Sequence, residues 1–324
     1  MRILITGGSG FIGTNLVAYL ANDNHEILNI DHSFPRNNNY TSIWSSVDIC
    51  DHNSLRTSIK RFMPKYIIHL AARTDLDGMS LNDYNSNILG IENLIDICQT
   101  CSSIKRIIFA SSRLVCKVGY LPSCDTDYCP TTLYGESKVL GETMIRKYAA
   151  NADWSWCIVR PTSIWGPWFS IPYRTFFDSV ISGRYVHPMG IKIPKSFGYV
   201  GNTVYQLISI LQAPNNIVDR KTFYLADYEP IEVLAMANQI RHQLLLPSIK
   251  EVPIALLKAL AHFGDLAKYV GIQNPPLTSF RLANLLTPMV HDLDALEEVV
   301  GPLPFDTAAG IGHTLDWISN STES

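Results

Sequence analysis

The sequence has no long uncharged hydrophobic run, and this excludes an ordinary membrane-spanning helix. The nearest candidate, residues 252–270, is interrupted by Lys258, His262, Asp265 and Lys268, whereas a spanning helix needs about 20 predominantly apolar residues. The first eight residues, MRILITGG, contain neither the apolar core nor the cleavage site of a secretory signal. We therefore expect a cytoplasmic protein with no membrane partner.

Charge of either sign is also in short supply. The 324 residues contain 26 Lys and Arg against 29 Asp and Glu, which gives a formal net charge of −3. Nucleic-acid-binding proteins carry a basic surplus, so no nucleic-acid partner is expected. A hydrophobic content of 47% excludes a disordered chain, and the length suggests about two domains.

The cysteines do not form a framework for disulfides or metal. There are seven, an odd number, and without an export signal we expect reduced thiols. Cys98 and Cys101 have the C-x-x-C spacing, but no second Cys/His pair has the spacing of a zinc site, so no metal is expected. The HExxH, P-loop, EF-hand and G-x-S-x-G motifs are absent as well.

What the sequence does contain is a regular alternation of short apolar runs and amphipathic runs in its first half. The predicted strands are 2–6, 26–31, 66–71, 106–111 and 156–160, and the predicted helices are 11–21, 53–62, 81–101 and 134–149. Buried strands separated by helices form βαβ units with right-handed crossovers. The fold class is therefore α/β, a doubly wound parallel sheet of the Rossmann type.

The pattern changes after residue 160, which indicates a second domain. Residues 161–200 are rich in Pro, Gly and aromatics, a strand-like run covers 222–226 and a helix-like run 231–245, and the last eighty residues favour short helices and loops. We expect a dinucleotide-binding domain of residues 1–165 with 200–226. A smaller, interrupted, mostly α domain of 166–199 and 227–324 would cap the carboxyl ends of the strands, where ligands bind in such folds.

A glycine-rich turn follows the first strand. The segment TGGSGFIG, residues 6–13, spaces Gly7, Gly10 and Gly13 as G-x-x-G-x-x-G and leads into a helix. Glycine lets the backbone approach a pyrophosphate, and the helix N-terminus offers free N–H groups and a positive dipole end. This segment predicts a dinucleotide cofactor, and a plain tight turn is the alternative.

An acidic residue ends the second strand, as the cofactor hypothesis requires. Asp31 lies 18 residues after Gly13, close to the spacing at which an acid binds the ribose hydroxyls of NAD. Its carboxylate would repel a 2′-phosphate, which favours NAD over NADP. NADP stays an alternative cofactor, because Arg36 lies only five residues after Asp31 and its guanidinium could bind such a phosphate.

The segment Tyr134-Gly-Glu-Ser-Lys138 places a phenol and an ammonium one helical turn apart. A phenol with a pKa near 10 is a poor base at pH 7, and a nearby cation favours the phenolate. Tyr134 could then take a proton from a carbinol, or return it, during hydride transfer. Ser112 ends the fifth strand at the same edge of the sheet and could bond the same substrate oxygen.

Together these residues resemble the extended short-chain dehydrogenase/reductase superfamily, in particular its NAD-dependent epimerase/dehydratase group. Further matches are Val47-Asp48-Ile49, the segment HLAA at 69–72, Asn87, and RPTSIWGP at 160–167. The resemblance implies that Ser112, Tyr134 and Lys138 are catalytic. The cofactor-binding residues it implies are Gly7, Gly10, Phe11, Ile12, Gly13, Asp31, Asp48, Ile49, Leu70, Ala71, Ala72, Asn87, Tyr134, Lys138 and Pro161.

The substrate side matches the family less closely. Ser163 replaces the usual Asn, Lys195 replaces the usual Arg of a later motif, and Arg281 loosely matches the arginine that holds a diphosphate in nucleotide-sugar enzymes. Arg113 and Leu114 stand where the dehydratase subgroup has its acid pair, so 4,6-dehydration is not expected. Tyr199-Val-Gly-Asn202 and the tail from 252 to 281 are similar to the 3β-hydroxysteroid dehydrogenase branch.

Three functions follow as hypotheses. The first is an NAD-dependent nucleotide-sugar epimerase or 4-ketoreductase. The second is a hydroxysteroid-type oxidoreductase of a lipophilic alcohol or ketone, and the third is a cofactor-binding scaffold without turnover. The resemblance also implies a homodimer formed through helices 81–101 and 134–149. An apolar set in the first of these, namely Ile88, Ile91, Leu94, Ile95 and Cys98, supports that expectation.

Overall fold

The computed structural model describes residues 1–171, 173–269 and 277–322. Thirteen strands occur in these ranges: β1 Arg2–Thr6, β2 Glu26–Asp31, β3 Trp44–Ser46, β4 Tyr66–His69, β5 Arg106–Ala110, β6 Ser155–Pro161, β7 Ser163–Trp165, β8 Val186–Pro188, β9 Pro194–Lys195, β10 Phe197–Tyr199, β11 Thr222–Leu225, β12 Ile231–Glu232 and β13 Lys250–Val252. Three short 3-10 helices lie at Asn38–Ile43, Leu81–Tyr84 and Arg113–Val115.

The same ranges contain twelve α-helices. They are α1 Phe11–Ala21, α2 His52–Phe62, α3 Asn85–Gln99, α4 Leu133–Tyr148, α5 Tyr173–Ile181, α6 Val200–Gln212, α7 Asn215–Val218, α8 Val233–Gln243, α9 Ile254–Tyr269, α10 Ser279–Leu286, α11 Asp294–Val300 and α12 Thr307–Thr322. None of these helices is long and apolar enough to cross a bilayer.

Seven parallel strands form the central sheet, in the order β11-β6-β5-β4-β1-β2-β3. The chain starts in the middle, winds out through β2 and β3, and returns to build the other half from β4 onward. The predicted doubly wound parallel sheet is confirmed. Its topological switch lies between β1 and β4, where the crossovers diverge and a ligand crevice opens.

Both faces of the sheet are covered by helices, because successive strand residues point to opposite sides. In β1, Ile3 and Ile5 enter a core with α1, α6 and α11, whereas Leu4 enters a second core with α2, α3 and α4. Strands buried on both faces read as continuous apolar runs. That is the pattern from which the strands are predicted.

The cap has its own aromatic core above the sheet edge. Trp165, Phe169, Phe177 and Tyr199 are buried with residues of α8 and α12. The expectation of only short helices in the last eighty residues is wrong, since α9 and α12 have 16 residues each. Residues 270–276, within the tail similar to hydroxysteroid dehydrogenases, lie outside the described residues.

Some predicted boundaries also differ from the observed ones. The predicted strand 66–71 ends at His69, and the predicted helix 81–101 divides into the 3-10 helix Leu81–Tyr84 and α3.

The apolar residues expected to form a dimer face are used within the chain. In α3, Ile91, Leu94, Ile95 and Cys98 lie in the core of this same chain. They therefore present no free apolar face, and the homodimer stays a prediction.

Candidate functional site

One cavity of about 1460 Å³ lies along the carboxyl edge of the sheet and continues under the cap. Its size exceeds the usual range for one small ligand, so it has room for a dinucleotide beside a second molecule. Of the residues named from the sequence, those that line it are Gly7, Gly10, Phe11, Ile12, Gly13, Asp31, Asp48, Ile49, Leu70, Ala71, Ala72, Ser112, Tyr134, Lys138, Pro161, Ser163, Lys195 and Arg281. Asn87 is not among the lining residues.

The glycine turn is shaped so that side chains are excluded from it. Gly7 has φ +75°, and a Cβ there would lie 2.5 Å from the backbone nitrogen of Ala71. A Cβ on Gly13 would lie 2.2 Å from the carbonyl oxygen of Gly7, so this glycine lets α1 pack against the turn. Helix α1 begins after Gly10 with no side-chain cap. Its first N–H groups therefore point toward the cavity as an anion site.

Asp31 holds the turn in place from the end of β2. Its carboxylate accepts hydrogen bonds from the backbone N–H of Ser9 at 3.0 Å and of Ser33 at 2.9 Å. The side chain is 8% exposed and faces the cavity. Arg36 donates to the carbonyl of Trp168 at 2.6 Å, so it also ties the cap to this loop. The turn, the uncapped helix and Asp31 fit a dinucleotide with unesterified ribose hydroxyls.

Three different elements bring Ser112, Tyr134 and Lys138 together. Ser112 follows β5 and caps the 3-10 helix Arg113–Val115 by accepting from the N–H of Leu114 at 3.1 Å. Thr132 caps α4, which then carries Tyr134 and Lys138 on one face. Lys138 donates from Nζ to the carbonyl of Ala110 at 3.0 Å, and its Nζ lies 5.9 Å from the Tyr134 ring centroid.

Burial dominates the electrostatics of this trio. It raises the pKa of Tyr134 to about 12, against a hydrogen bond with Ser112 and the nearby charge of Arg113, which both lower it. Burial also lowers the pKa of Lys138 to about 8, although the carboxylate of Glu142 raises it. In the protein without its cofactor, desolvation of the phenolate therefore outweighs the Ser112 hydrogen bond and the Arg113 charge. The lowering of the Tyr134 pKa by Lys138 together with a nicotinamide cation stays a prediction.

Asn87 is buried and holds the loop after β4 in place through its side-chain hydrogen bonds. Its side-chain oxygen accepts from the N–H of Arg73 at 2.8 Å, and its amide donates to the carbonyl of Arg73 and to the Ser137 hydroxyl, both at 2.9 Å. Both amide hydrogens are thereby used. Asn87 joins the loop after β4 to α3 and α4, and it can act on the site through that loop.

His69, the first residue of the predicted HLAA segment, ends β4 beneath the glycine turn. Its Nδ1 lies 2.7 Å from the Thr6 hydroxyl oxygen, which also accepts from the N–H of Ala71. Burial and the nearby Lys138 lower the pKa of His69 to about 3. The imidazole therefore stays neutral where an unfolded chain would be protonated.

We expect His69 to make the protein acid-labile. Between pH 6.5 and about 3 the unfolded chain binds one more proton than the native chain, so stability falls as pH falls, by up to about 1.4 kcal/mol per pH unit. In His69→Gln the free energy of unfolding should fall less steeply with pH, by up to about 1.4 kcal/mol per pH unit, because the variant lacks this group. Urea unfolding at pH 7, 6 and 5 measures the difference. The exposed His242 provides the control His242→Gln. Equal slopes in wild type and His69→Gln would contradict the prediction.

The cap side of the cavity is rich in cations. Lys195 donates from Nζ to the carbonyl of Asn284 at 2.7 Å, and burial together with the charge of Arg113 lowers the Lys195 pKa to about 8. Arg281 and Asn284 on α10 line the same region, and Ser163 lines it from β7. The structure thus brings Ser163, Lys195 and Arg281 around one space. Arg113, which the sequence analysis does not predict as a binding residue, lines it as well.

A buried ion pair lies behind Lys138, and the sequence analysis does not predict it, although Arg160 is the first residue of the RPTSIWGP segment. Glu142 and Arg160 are 0% and 1% exposed, with bonds of 2.9 Å to Oε1 and 2.8 Å to Oε2. Ser111 and Tyr128 also donate to the Glu142 carboxylate. One signal was available, because Tyr134, Lys138 and Glu142 repeat every fourth residue on α4.

Comparison with known proteins relates this site to one family. The family model "NAD dependent epimerase/dehydratase family" matches residues 3–225. A 3-beta-hydroxysteroid dehydrogenase of Mycolicibacterium neoaurum is 26% identical over 257 residues, covering 74% of this chain and 69% of that one. An N-acetyl-alpha-D-glucosaminyl-diphospho-ditrans,octacis-undecaprenol 4-epimerase of Escherichia coli O157:H7 is 24% identical over 325 residues, covering 98% and 95%.

Solved structures share the whole fold. The UDP-glucuronic acid 4-epimerase of Bacillus cereus in complex with NAD superposes with a TM-score of 0.75 and covers 99% of each chain, at 17% identity. At this identity the likeness establishes the architecture, the parallel sheet together with the cap.

Proposed function

The chain belongs to the NAD dependent epimerase/dehydratase family, and from that premise we propose that it is a nucleotide-sugar epimerase or 4-ketoreductase that uses NAD. The observation that carries the proposal is a single cavity that holds the glycine turn, Asp31 and the trio of Ser112, Tyr134 and Lys138. Bound NAD supplies a hydride acceptor that can also return the hydride.

In the proposed reaction, this chain's residues bind the sugar and move its proton. Ser112 orients the carbinol oxygen, and the Tyr134 oxygen takes the hydroxyl proton as the carbon is oxidised, or returns it on reduction. Lys138 is fixed by its bond to the Ala110 carbonyl and places a positive charge beside the phenol.

On the substrate side, we propose that residues 166–199 and 227–324 bind the nucleotide sugar, with a diphosphate near Lys195 and Arg281. Cationic side chains in a partly desolvated pocket are suited to a diphosphate. Ser163 would bond the sugar or the phosphate from β7. The fixed position of Lys195, held by the Asn284 carbonyl, supports this assignment.

The hydroxysteroid alternative rests on the relatives named above and on Tyr199-Val-Gly-Asn202. In this protein the Asn202 amide donates to Asp227 and to the Phe305 carbonyl, so this Asn joins α6 to two later segments of the chain and has a structural role. A lipophilic substrate also favours a cavity without cations, whereas Arg113 and Lys195 line this one. The nucleotide-sugar proposal therefore takes precedence.

Denaturing the purified protein and identifying what it releases by mass spectrometry tests the proposal. We expect stoichiometric NAD(H), because an epimerase reoxidises its cofactor in place. The intact protein should then interconvert a UDP-, GDP- or dTDP-sugar without added cofactor, as NMR would detect.

The other outcomes separate the alternatives. Loosely bound cofactor with turnover of a nucleotide sugar only when cofactor is added would identify the ketoreductase. Saturable binding of a 3β-hydroxysteroid and of no nucleotide sugar would overturn the proposal. Bound cofactor without turnover of either class would leave the scaffold hypothesis.

A further inference from the structure

The substrate half of the cavity contains more positive charge than a diphosphate site near Lys195 and Arg281 accounts for. Of the described residues that line the cavity, those with a carboxylate are Asp31, Asp48 and Asp75. None of the three belongs to the lining segments 112–134, 161–197 or 281–285. Those segments contribute Arg113, Lys117, Lys195 and Arg281.

Arg113 has no anionic partner within the part of the chain that the structure describes. Its Nη1 donates to the Met289 sulfur at 3.0 Å, and a thioether is a weak acceptor. Neither Arg113 nor Lys195 has a carboxylate within 4.0 Å among those residues. Two neighbouring half-buried cations without an anion are unfavourable, and a bound anion would relieve that repulsion.

The position of Arg113 is fixed on the reacting side of the site. It directly follows Ser112, whose hydroxyl caps the helix that Arg113 begins. That helix lies tight against the start of α4, because a Cβ on Gly135 would be 2.2 Å from the Leu114 carbonyl oxygen. Its charge also lowers the pKa of Tyr134. Arg113 therefore lines the cavity directly after Ser112, close enough for its charge to act on Tyr134.

A sugar nucleotide has its diphosphate on the anomeric carbon, across the ring from C4. A hexuronic acid has a second anion, a carboxylate on C5, adjacent to C4. We propose, on the basis of the function proposed above, that Arg113 binds this carboxylate, so that the substrate is a nucleotide-linked uronic acid. A guanidinium suits the task because its fork matches a carboxylate in two parallel hydrogen bonds.

The test compares UDP-glucuronic acid with UDP-glucose, which differ in the group on C5. Binding by titration calorimetry and kcat/KM are measured for wild type, Arg113→Ala, Arg113→Gln and Arg113→Lys. We expect wild type to prefer the acid by about 100-fold, the scale of a charge-assisted bidentate contact. The preference should fall to near unity in the Ala and Gln variants and be partly restored by Lys. Arg184→Ala, which removes an exposed charge outside the cavity, is the matched control and should keep the full preference.

Each other outcome has a definite meaning. An equal loss of affinity for both sugars in Arg113→Ala would place Arg113 on the diphosphate and overturn the inference. A wild-type preference for UDP-glucose would overturn it as well, with the proposed function intact. Binding of neither sugar, and of neither of their GDP- and dTDP-linked counterparts, would count against the proposed function itself. If Arg113→Ala fails to fold, judged by its melting curve, the Gln variant, which keeps the length and polarity of the side chain, decides the question.

Discussion

Tyr134→Phe is expected to lower kcat on the nucleotide sugar by about 10³-fold, the effect of removing a general acid–base, and to leave the cofactor content and the melting temperature near wild-type values. The substitution removes one oxygen and keeps the ring, which is 7% exposed and fixed on α4. Single-turnover hydride transfer, followed by the absorbance of reduced nicotinamide at 340 nm, is the measurement.

A neighbouring tyrosine provides the matched control for this variant. The Tyr84 ring is fully buried with its centroid 6.1 Å from that of Tyr134, and its hydroxyl donates to the Asp75 carbonyl. Tyr84→Phe also deletes a buried phenolic oxygen, but one outside the cavity lining. It should cost about 1 kcal/mol of stability and less than tenfold in kcat. If Tyr134→Phe retained wild-type turnover, Tyr134 would not be the proton carrier.

The parts of the fold that follow local rules could be predicted from the sequence. Strands β1 and β2 and helix α1 have the predicted bounds, because their apolar runs end at Gly, Asp or Asn residues that mark the end of each element in the sequence. The glycine turn, Asp31 and the Tyr134–Lys138 pair can be proposed as site residues from the sequence because each depends on a local spacing, and all of them line the cavity. These spacings carry the cofactor and trio hypotheses.

The parts that depend on contacts between distant segments could not be predicted. Strand β3, Trp44–Ser46, has three residues with two serines and gives no apolar signal of its own. The role of Asn87 in holding the loop after β4 depends on Arg73 and Ser137, which the fold alone brings to it. In the sequence, Arg113 is only a departure from the family pattern. Its place in a group of cations becomes visible in the folded protein, where its charge acts on Lys195.

Glu142→Ala is expected to destabilise the protein by about 3–5 kcal/mol, because it leaves the Arg160 guanidinium buried without its counter-charge. For a chain of this size such a loss lowers the melting temperature by roughly 10 °C. The control is Asp178→Ala, which breaks the partly exposed i,i+4 pair with Arg174 at 2.8 Å. That change should cost no more than about 0.5 kcal/mol. Equal melting temperatures for the two variants would show that the buried pair contributes little.

The same carboxylate should also act on catalysis through Lys138, and the pH profile of Glu142→Gln separates this effect from folding, because the position of a pH limb does not depend on how much of the enzyme is folded. Gln keeps the shape of residue 142 and one acceptor oxygen, although its amide nitrogen cannot accept the second bond from Arg160, and it removes the negative charge that raises the Lys138 pKa. With Glu142 present that pKa is about 8, so without it Lys138 loses its proton at a lower pH. The alkaline limb of the kcat profile should therefore move to lower pH in Glu142→Gln, while the same limb stays in place in Asp178→Ala. If Glu142 had only a structural role, its substitution would lower the yield of folded enzyme and leave the position of that limb unchanged. The shift therefore distinguishes a residue that sets the charge of the site from one that only holds the sheet and α4 together.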